Sequence, residues 1–111
     1  MQIFTQLITF GASPVAPNIQ DAEGNRITRC TRFYVEPASG THVSFVEKAG
    51  TASGAGDTTA GVVKRLAAYS STGILDNFFF ESLRDVNDID LTQWQFDGTA
   101  GEEIKLSVFV E

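Results

Sequence analysis

The sequence predicts an all-β protein: an antiparallel β-sandwich, jelly-roll-like, folded as a single domain with an extended N-terminal arm. Three observations carry that expectation. Residues 91–110 hold two runs of alternating apolar and polar side chains around Asp97-Gly98-Thr99-Ala100-Gly101, the pattern of strand, turn and strand. Phe is abundant, at nine of 111 residues, and Phe, Val, Ile and Thr suit the pleated, half-buried surface of a sheet. Turn signals recur roughly every 8 to 12 residues, leaving room for about seven strands.

In chain order, residues 2–10 form the first extended element. Ile3 and Leu7 fall on one face; Phe4, Ile8 and Phe10 fall on the other. A strand apolar on both faces is buried on both, by its own fold or by a partner. At a chain end a partner is expected, so these five side chains are candidate interaction residues. Pro14 and Pro17 make residues 11–20 an extended connector. Asp21-Ala22-Glu23-Gly24-Asn25 is then a turn. The chain thus divides into an arm and connector, residues 1–26, and a sandwich domain, residues 27–111.

Residues 27–36 read as a strand with Arg29 and Arg32 on opposite faces. Pro37-Ala38-Ser39-Gly40 turns the chain. Residues 41–48 return as the second strand of a hairpin, with Val43 and Phe45 facing away from Val46. Residues 49–61 are Gly, Ala, Ser and Thr around Asp57, which predicts a mobile loop that buries little. Residues 61–69 suit a short helix or a bulged strand, and the neighbouring strands favour strand.

A turn at 70–73 leads to a strand at 74–83 containing Phe78-Phe79-Phe80. Three consecutive aromatics place bulk on both faces. One face belongs in the core and the other meets a second layer or a partner. Residues 84–90 are an acidic connector, whose Asp85 and Asp88 are further candidate interaction residues. The closing hairpin follows at 91–110. In it Ile104, Leu106, Val108 and Val110 point one way, and Lys105, Ser107 and Phe109 the other.

Charge and cysteine content narrow the function classes. The net charge is −6, and beyond Lys48 ten acids face four bases. That half would repel a polyanion such as DNA. A lone cysteine, Cys30, excludes an internal disulfide and reads as a small buried hydrophobe. The start, Met1-Gln2-Ile3-Phe4, lacks the basic region of a signal peptide. No apolar run approaches the roughly 20 residues that cross a bilayer, so a soluble protein without membrane partner is expected.

Motifs of chemistry are weak. His42 is the single histidine and no Gly-x-Ser-x-Gly accompanies it. Gly56-Asp57-Thr58-Thr59-Ala60-Gly61 has phosphate-loop spacing, but Val62 stands where lysine is required. Asp85-Val86-Asn87-Asp88-Ile89-Asp90 has closely spaced oxygen ligands, but Asp90 and Phe96 occupy the Gly and Glu places of a calcium loop. Trp94 with Tyr34 or Tyr69 is either a sugar-stacking platform or core, and core is favoured. The expectation is therefore a non-enzyme with no cofactor, no metal and no small-molecule substrate.

The string Asp88-Ile89-Asp90-Leu91-Thr92-Gln93-Trp94-Gln95-Phe96-Asp97-Gly98-Thr99-Ala100-Gly101-Glu102-Glu103-Ile104 resembles the closing segment of small phage virion proteins. Arg32-Phe33-Tyr34-Val35-Glu36-Pro37-Ala38-Ser39-Gly40 resembles their first hairpin. The family is the capsid decoration (staple, or cementing) proteins of short-tailed, epsilon15-like phages. Glu47-Lys48-Ala49-Gly50 departs from that family's usual segment after the second strand. The resemblance implies a jelly-roll-like fold and a homodimer on the outer capsid surface, made in the host cytoplasm and carried on the virion. It also implies a structural role, bridging neighbouring major capsid proteins and stabilising the shell. The alternative is a glycan- or receptor-binding β-sandwich module of a phage particle.

Overall fold

The computed structural model describes residues 1–54, 56, 58–69 and 76–111. Those residues form an antiparallel β-sandwich. Its strands are β1 (Gln2–Thr9), β2 (Arg29–Cys30), β3 (Arg32–Ser39), β4 (Ser44–Lys48), β5 (Val62–Leu66), β6 (Phe78–Glu81), β7 (Ile89–Asp90), β8 (Trp94–Asp97) and β9 (Glu103–Val110). A 3-10 turn at Leu91–Gln93 joins β7 to β8. One sheet has the order β1-β9-β3-β6 and the other β5-β4-β8, with β2 and β7 as a short third pair.

The pairing is nested. β4 pairs with β5, β3 with β6, β2 with β7, and β1 with β9, all antiparallel. The chain is in effect one long hairpin rolled up on itself, which is the wrap of a jelly-roll-like sandwich. Lateral pairs of β9 with β3 and β8 with β4 close the roll.

Nesting overturns both predicted local hairpins. β8 and β9 lie in different sheets, and so do β3 and β4. A period of two fixes which side chains meet the core; it does not fix which strand lies alongside. β8 and β9 face each other across the core, so each has a clean apolar face while the turn between them changes sheets. Phe10 closes this crossover. Its ring lies where a Cβ on Gly98 would stand, which is why that turn position is glycine.

The core draws on every layer. Ile8, Phe33, Val35, Ile104, Leu106 and Val108 come from the larger sheet; Val46, Leu66, Trp94 and Phe96 come from the smaller one. Phe10, Ile19, Cys30, Ile89 and Leu91 seal the ends. Burial lifts the Cys30 thiol to about 11, so it behaves as the expected inert hydrophobe.

Residues 1–26 are therefore not a separate arm. β1 is an integral sheet edge, and Ile8, Phe10 and Ile19 are core. The stretch looked like an arm because it is apolar on both faces, but only the face carrying Phe4, Ile8 and Phe10 turns inward. The expected strand at 27–36 breaks at buried Thr31, whose amide and hydroxyl both donate to the Phe109 carbonyl at 2.9 Å. The break lets the chain pass from β2 to β3. β3 then runs through Pro37, where its register with β9 shifts, so the turn begins at Gly40 rather than Pro37.

Strand, not helix, is what residues 62–66 adopt. The Gly-rich loop before them is tied to β8. Gly50 N donates to Gln95 Oε1 at 3.0 Å, Gln95 Nε2 donates to the Thr51 carbonyl at 2.9 Å, and Gly54 N donates to Asp97 Oδ2 at 3.1 Å. Composition predicted a mobile loop because it counted only what the loop itself could bury. Asp57 and residues 70–75, including the predicted turn and the start of the Phe strand, lie outside the described residues.

Candidate interaction surface

Register sets the outward face of the larger sheet. One row runs Ile3, Phe109, Arg32, Glu81. The next runs Thr5, Ser107, Tyr34, Phe79, and a third runs Leu7, Lys105, Glu36. Ile3 is 58% exposed, Leu7 59% and Phe79 46%. Tyr34 and Phe109 are half-buried. Small Thr5 and Ser107 lie between these apolar side chains, so the face is shallow and mixed.

Charge borders it on both sides. The Arg32 guanidinium lies 5.2 Å from the Phe109 ring centre, 4.0 Å from Glu81, and donates to Met1 Sδ at 3.1 Å. Tyr34 donates to Glu36 at 3.4 Å, and burial together with the Glu36 charge pushes its phenol up. Exposed pairs of this kind contribute about 1 kcal/mol or less to stability. Their greater effect is on what can dock, since an incoming surface must match an Arg32–Glu81 end and a Lys105–Glu36 row.

Of the predicted interaction residues, Ile3 and Leu7 lie on this face and Phe79 joins them from the opposite edge strand. Phe4 points inward and is half-buried against the core. Ile8 at 2% exposure and Phe10 at 4% are core, so they are removed from any contact surface. Phe78 and Phe80 turn to the inner side. Phe33 stands 5.9 Å from each of them and 5.0 Å from Trp94, and Phe80 stands 5.0 Å from Trp94. Trp94 is 4% exposed, and Lys48 Nζ sits 3.9 Å over its ring. A sugar platform on Trp94 is thereby excluded, because its faces are already occupied.

Phe80 and Asp88 meet elsewhere, lining a groove of about 540 Å³ with Lys48, Leu83 and Arg84. Asp88 pairs with Arg84 at 2.9 Å, and hydrogen bonds from Ser82 and Arg84 hold its carboxyl below the usual range. Asp85 is exposed and adopts a left-handed backbone, φ 56°. Asp90 accepts from Thr92 Oγ1 at 2.6 Å and Thr92 N at 3.0 Å, which lowers its carboxyl too. Asp88 and Asp90 are engaged in local backbone and side-chain bonds.

A second groove, about 550 Å³, is lined by His42, Phe45, Ser53 and Asp97 among others. Glu102 accepts from His42 Nδ1 at 2.7 Å and from His42 N at 3.0 Å, and its carboxyl is lowered, first by the imidazole bond. The pair is fitted closely: a Cβ on Gly40, at φ +112°, would overlap the Glu102 carboxylate. The hydroxyl that approaches the ring, Thr41 Oγ1 at 3.2 Å, meets the same nitrogen. The arrangement fixes the β3–β4 turn against the start of β9. Nearby, Glu47 is fully buried; Gln95 Nε2 donates to its Oε1 at 2.6 Å, while burial and then Asp97 raise its carboxyl.

No protein family, curated protein or solved structure matches the chain. Tyr34 and Phe109 were not singled out as contact residues by the sequence, yet their signal was present. Phe109 alternates with Val108 and Val110, and Tyr34 alternates with buried Phe33 and Val35. His42 and Glu102 are 60 residues apart, and no spacing could have joined them.

Proposed function

We propose that the protein is a structural surface-binding module that works by burial rather than chemistry, docking on a capsid through the outward face of β1-β9-β3-β6. The observation that carries the reading is the gathering of Ile3, Leu7, Tyr34, Phe79 and Phe109 on one face, with paired charges at its margins. Apolar area covered there contributes about 25 cal/mol per Å² before the cost of association. Repetition over a symmetric shell turns modest single contacts into firm attachment. The resemblance to capsid decoration proteins supplies the setting: the outer capsid surface, with neighbouring major capsid proteins as the partner. The test is quantitative mass spectrometry of purified virions of the phage that encodes the chain. A copy number comparable to the major capsid protein is expected, and absence from the particle refutes the proposal.

A further inference from the structure

We propose that a second copy of this chain adds to the free edge of β1, joining two four-stranded sheets across a two-fold axis at Thr5. β1 ends its sheet and pairs only with β9 among the described residues. Phe10 N donates to the Glu102 carbonyl at 2.9 Å, continuing the β1–β9 register by one pair. Antiparallel strands alternate hydrogen-bonded and open pairs. Even-numbered β1 residues therefore bond toward β9, and Ile3, Thr5 and Leu7 direct their N–H and C=O groups outward. The far side of β9 agrees, since odd-numbered Phe109 offers its carbonyl to Thr31.

Natural edge strands are guarded by lysine, proline, bulges or a covering segment. Among the described residues β1 has none of these. Its eight residues contain no proline, its register with β9 is unbroken, and no charged side chain occurs before Asp21. The connector that follows bonds elsewhere: Val15 pairs with Phe96 and Ile27 N donates to Ile19 O. It reaches β1 through Asn18 N, which donates to Gln6 Oε1, a side chain on the opposite face from Ile3 and Leu7.

The spacing selects a second copy as occupant. Ile3 and Leu7, both more than half exposed, stand two residues either side of Thr5. Antiparallel pairing centred on Thr5 sets Ile3 beside Leu7 of the other copy, and Leu7 beside its Ile3. The contact is self-complementary and closes with two-fold symmetry. It also makes the outward face continuous over two copies. The inference rests on the strand edge and not on the capsid reading, and it is read in solution without capsids.

Sedimentation velocity over a concentration series tests it, with circular dichroism to verify folding. Wild-type protein is expected to sediment as a dimer that dissociates on dilution. Thr5→Pro removes an outward donor and spares the bonds to β9, so it is expected to be monomeric. Ile3→Lys with Leu7→Lys sets like charges side by side and weakens the dimer by about tenfold or more. Ile3→Lys with Leu7→Glu sets opposite charges together in this register and retains it. These charge variants carry the test if Thr5→Pro fails to fold. A wild-type monomer at every concentration overturns the proposal and leaves the edge to a strand from a different protein. A dimer indifferent to Thr5→Pro, or Lys/Lys and Lys/Glu variants that behave alike, also overturns it.

Discussion

Phe33 and Phe79 are the same side chain on adjacent strands, and truncating each should cost very different amounts of stability. Phe33 is fully buried among Phe78, Phe80 and Trp94. Its replacement by Ala removes the transfer energy and leaves a cavity, a loss of about 3–5 kcal/mol. Phe79 is 46% exposed on the outward face. Full burial of such a side chain contributes roughly 1.5–3 kcal/mol, so Phe79→Ala should cost about 1 kcal/mol. Urea unfolding followed by tryptophan fluorescence separates the two, since Trp94 lies in the core. With a slope of about 1–3 kcal/mol per M, the midpoint should fall by about 2 M for Phe33→Ala and about 0.5 M for Phe79→Ala. Equal losses would refute the reasoning, because they would place Phe79 in the fold's own packing and not on a surface kept for a partner.

Other expectations follow from the polar groups. Burial raises the Glu47 carboxyl, so its stabilising contribution is complete below the ordinary value of 4.5 and is lost as pH rises through the raised one. Glu47→Gln should flatten that decline in a series of urea midpoints against pH. Glu102 is lowered by His42, so its contribution is present above 4.5 and lost as pH falls through the lowered value. His42→Ala should return the Glu102 carboxyl toward 4.5 in an NMR titration. Gly98→Ala should cost about 1–3 kcal/mol in thermal unfolding, because the added methyl overlaps the Phe10 ring at the β8–β9 crossover.

The class of fold was legible because a period of two survives in β1, β3 and β9, whose inward residues are those the alternation names. Partner strands were not legible. A local turn such as Asp97-Gly98-Thr99-Ala100-Gly101 has the composition of a hairpin whether the chain returns beside itself or crosses the core. Global wrapping decides between them, and here it chose nested pairs. The site was half legible for the same reason. Ile3, Leu7 and Phe79 were recognised as apolar residues with nowhere to go, while Ile8 and Phe10 were misassigned because a terminal strand was expected to serve a neighbour. What joined Ile3 to Phe109, and Tyr34 to Phe79, was sheet register set by residues far apart in sequence. The Gly-rich loop shows the same limit: Gln95 and Asp97, which tie it down, lie some forty residues further along the chain.

Deleting residues 1–10 would remove a sheet edge and two core side chains, so the surface is tested by point substitution. The most direct measurement is occupancy on capsids stripped of the protein and reloaded with wild type or with Phe79→Glu, read by quantitative gel electrophoresis after sedimentation. Phe79→Glu places a charge on the outward face at its β6 edge, beside Tyr34, while leaving the core untouched. Occupancy should fall by about tenfold or more, equivalent to about 1.4 kcal/mol per contact. Equal loading of the two proteins would contradict docking through this face.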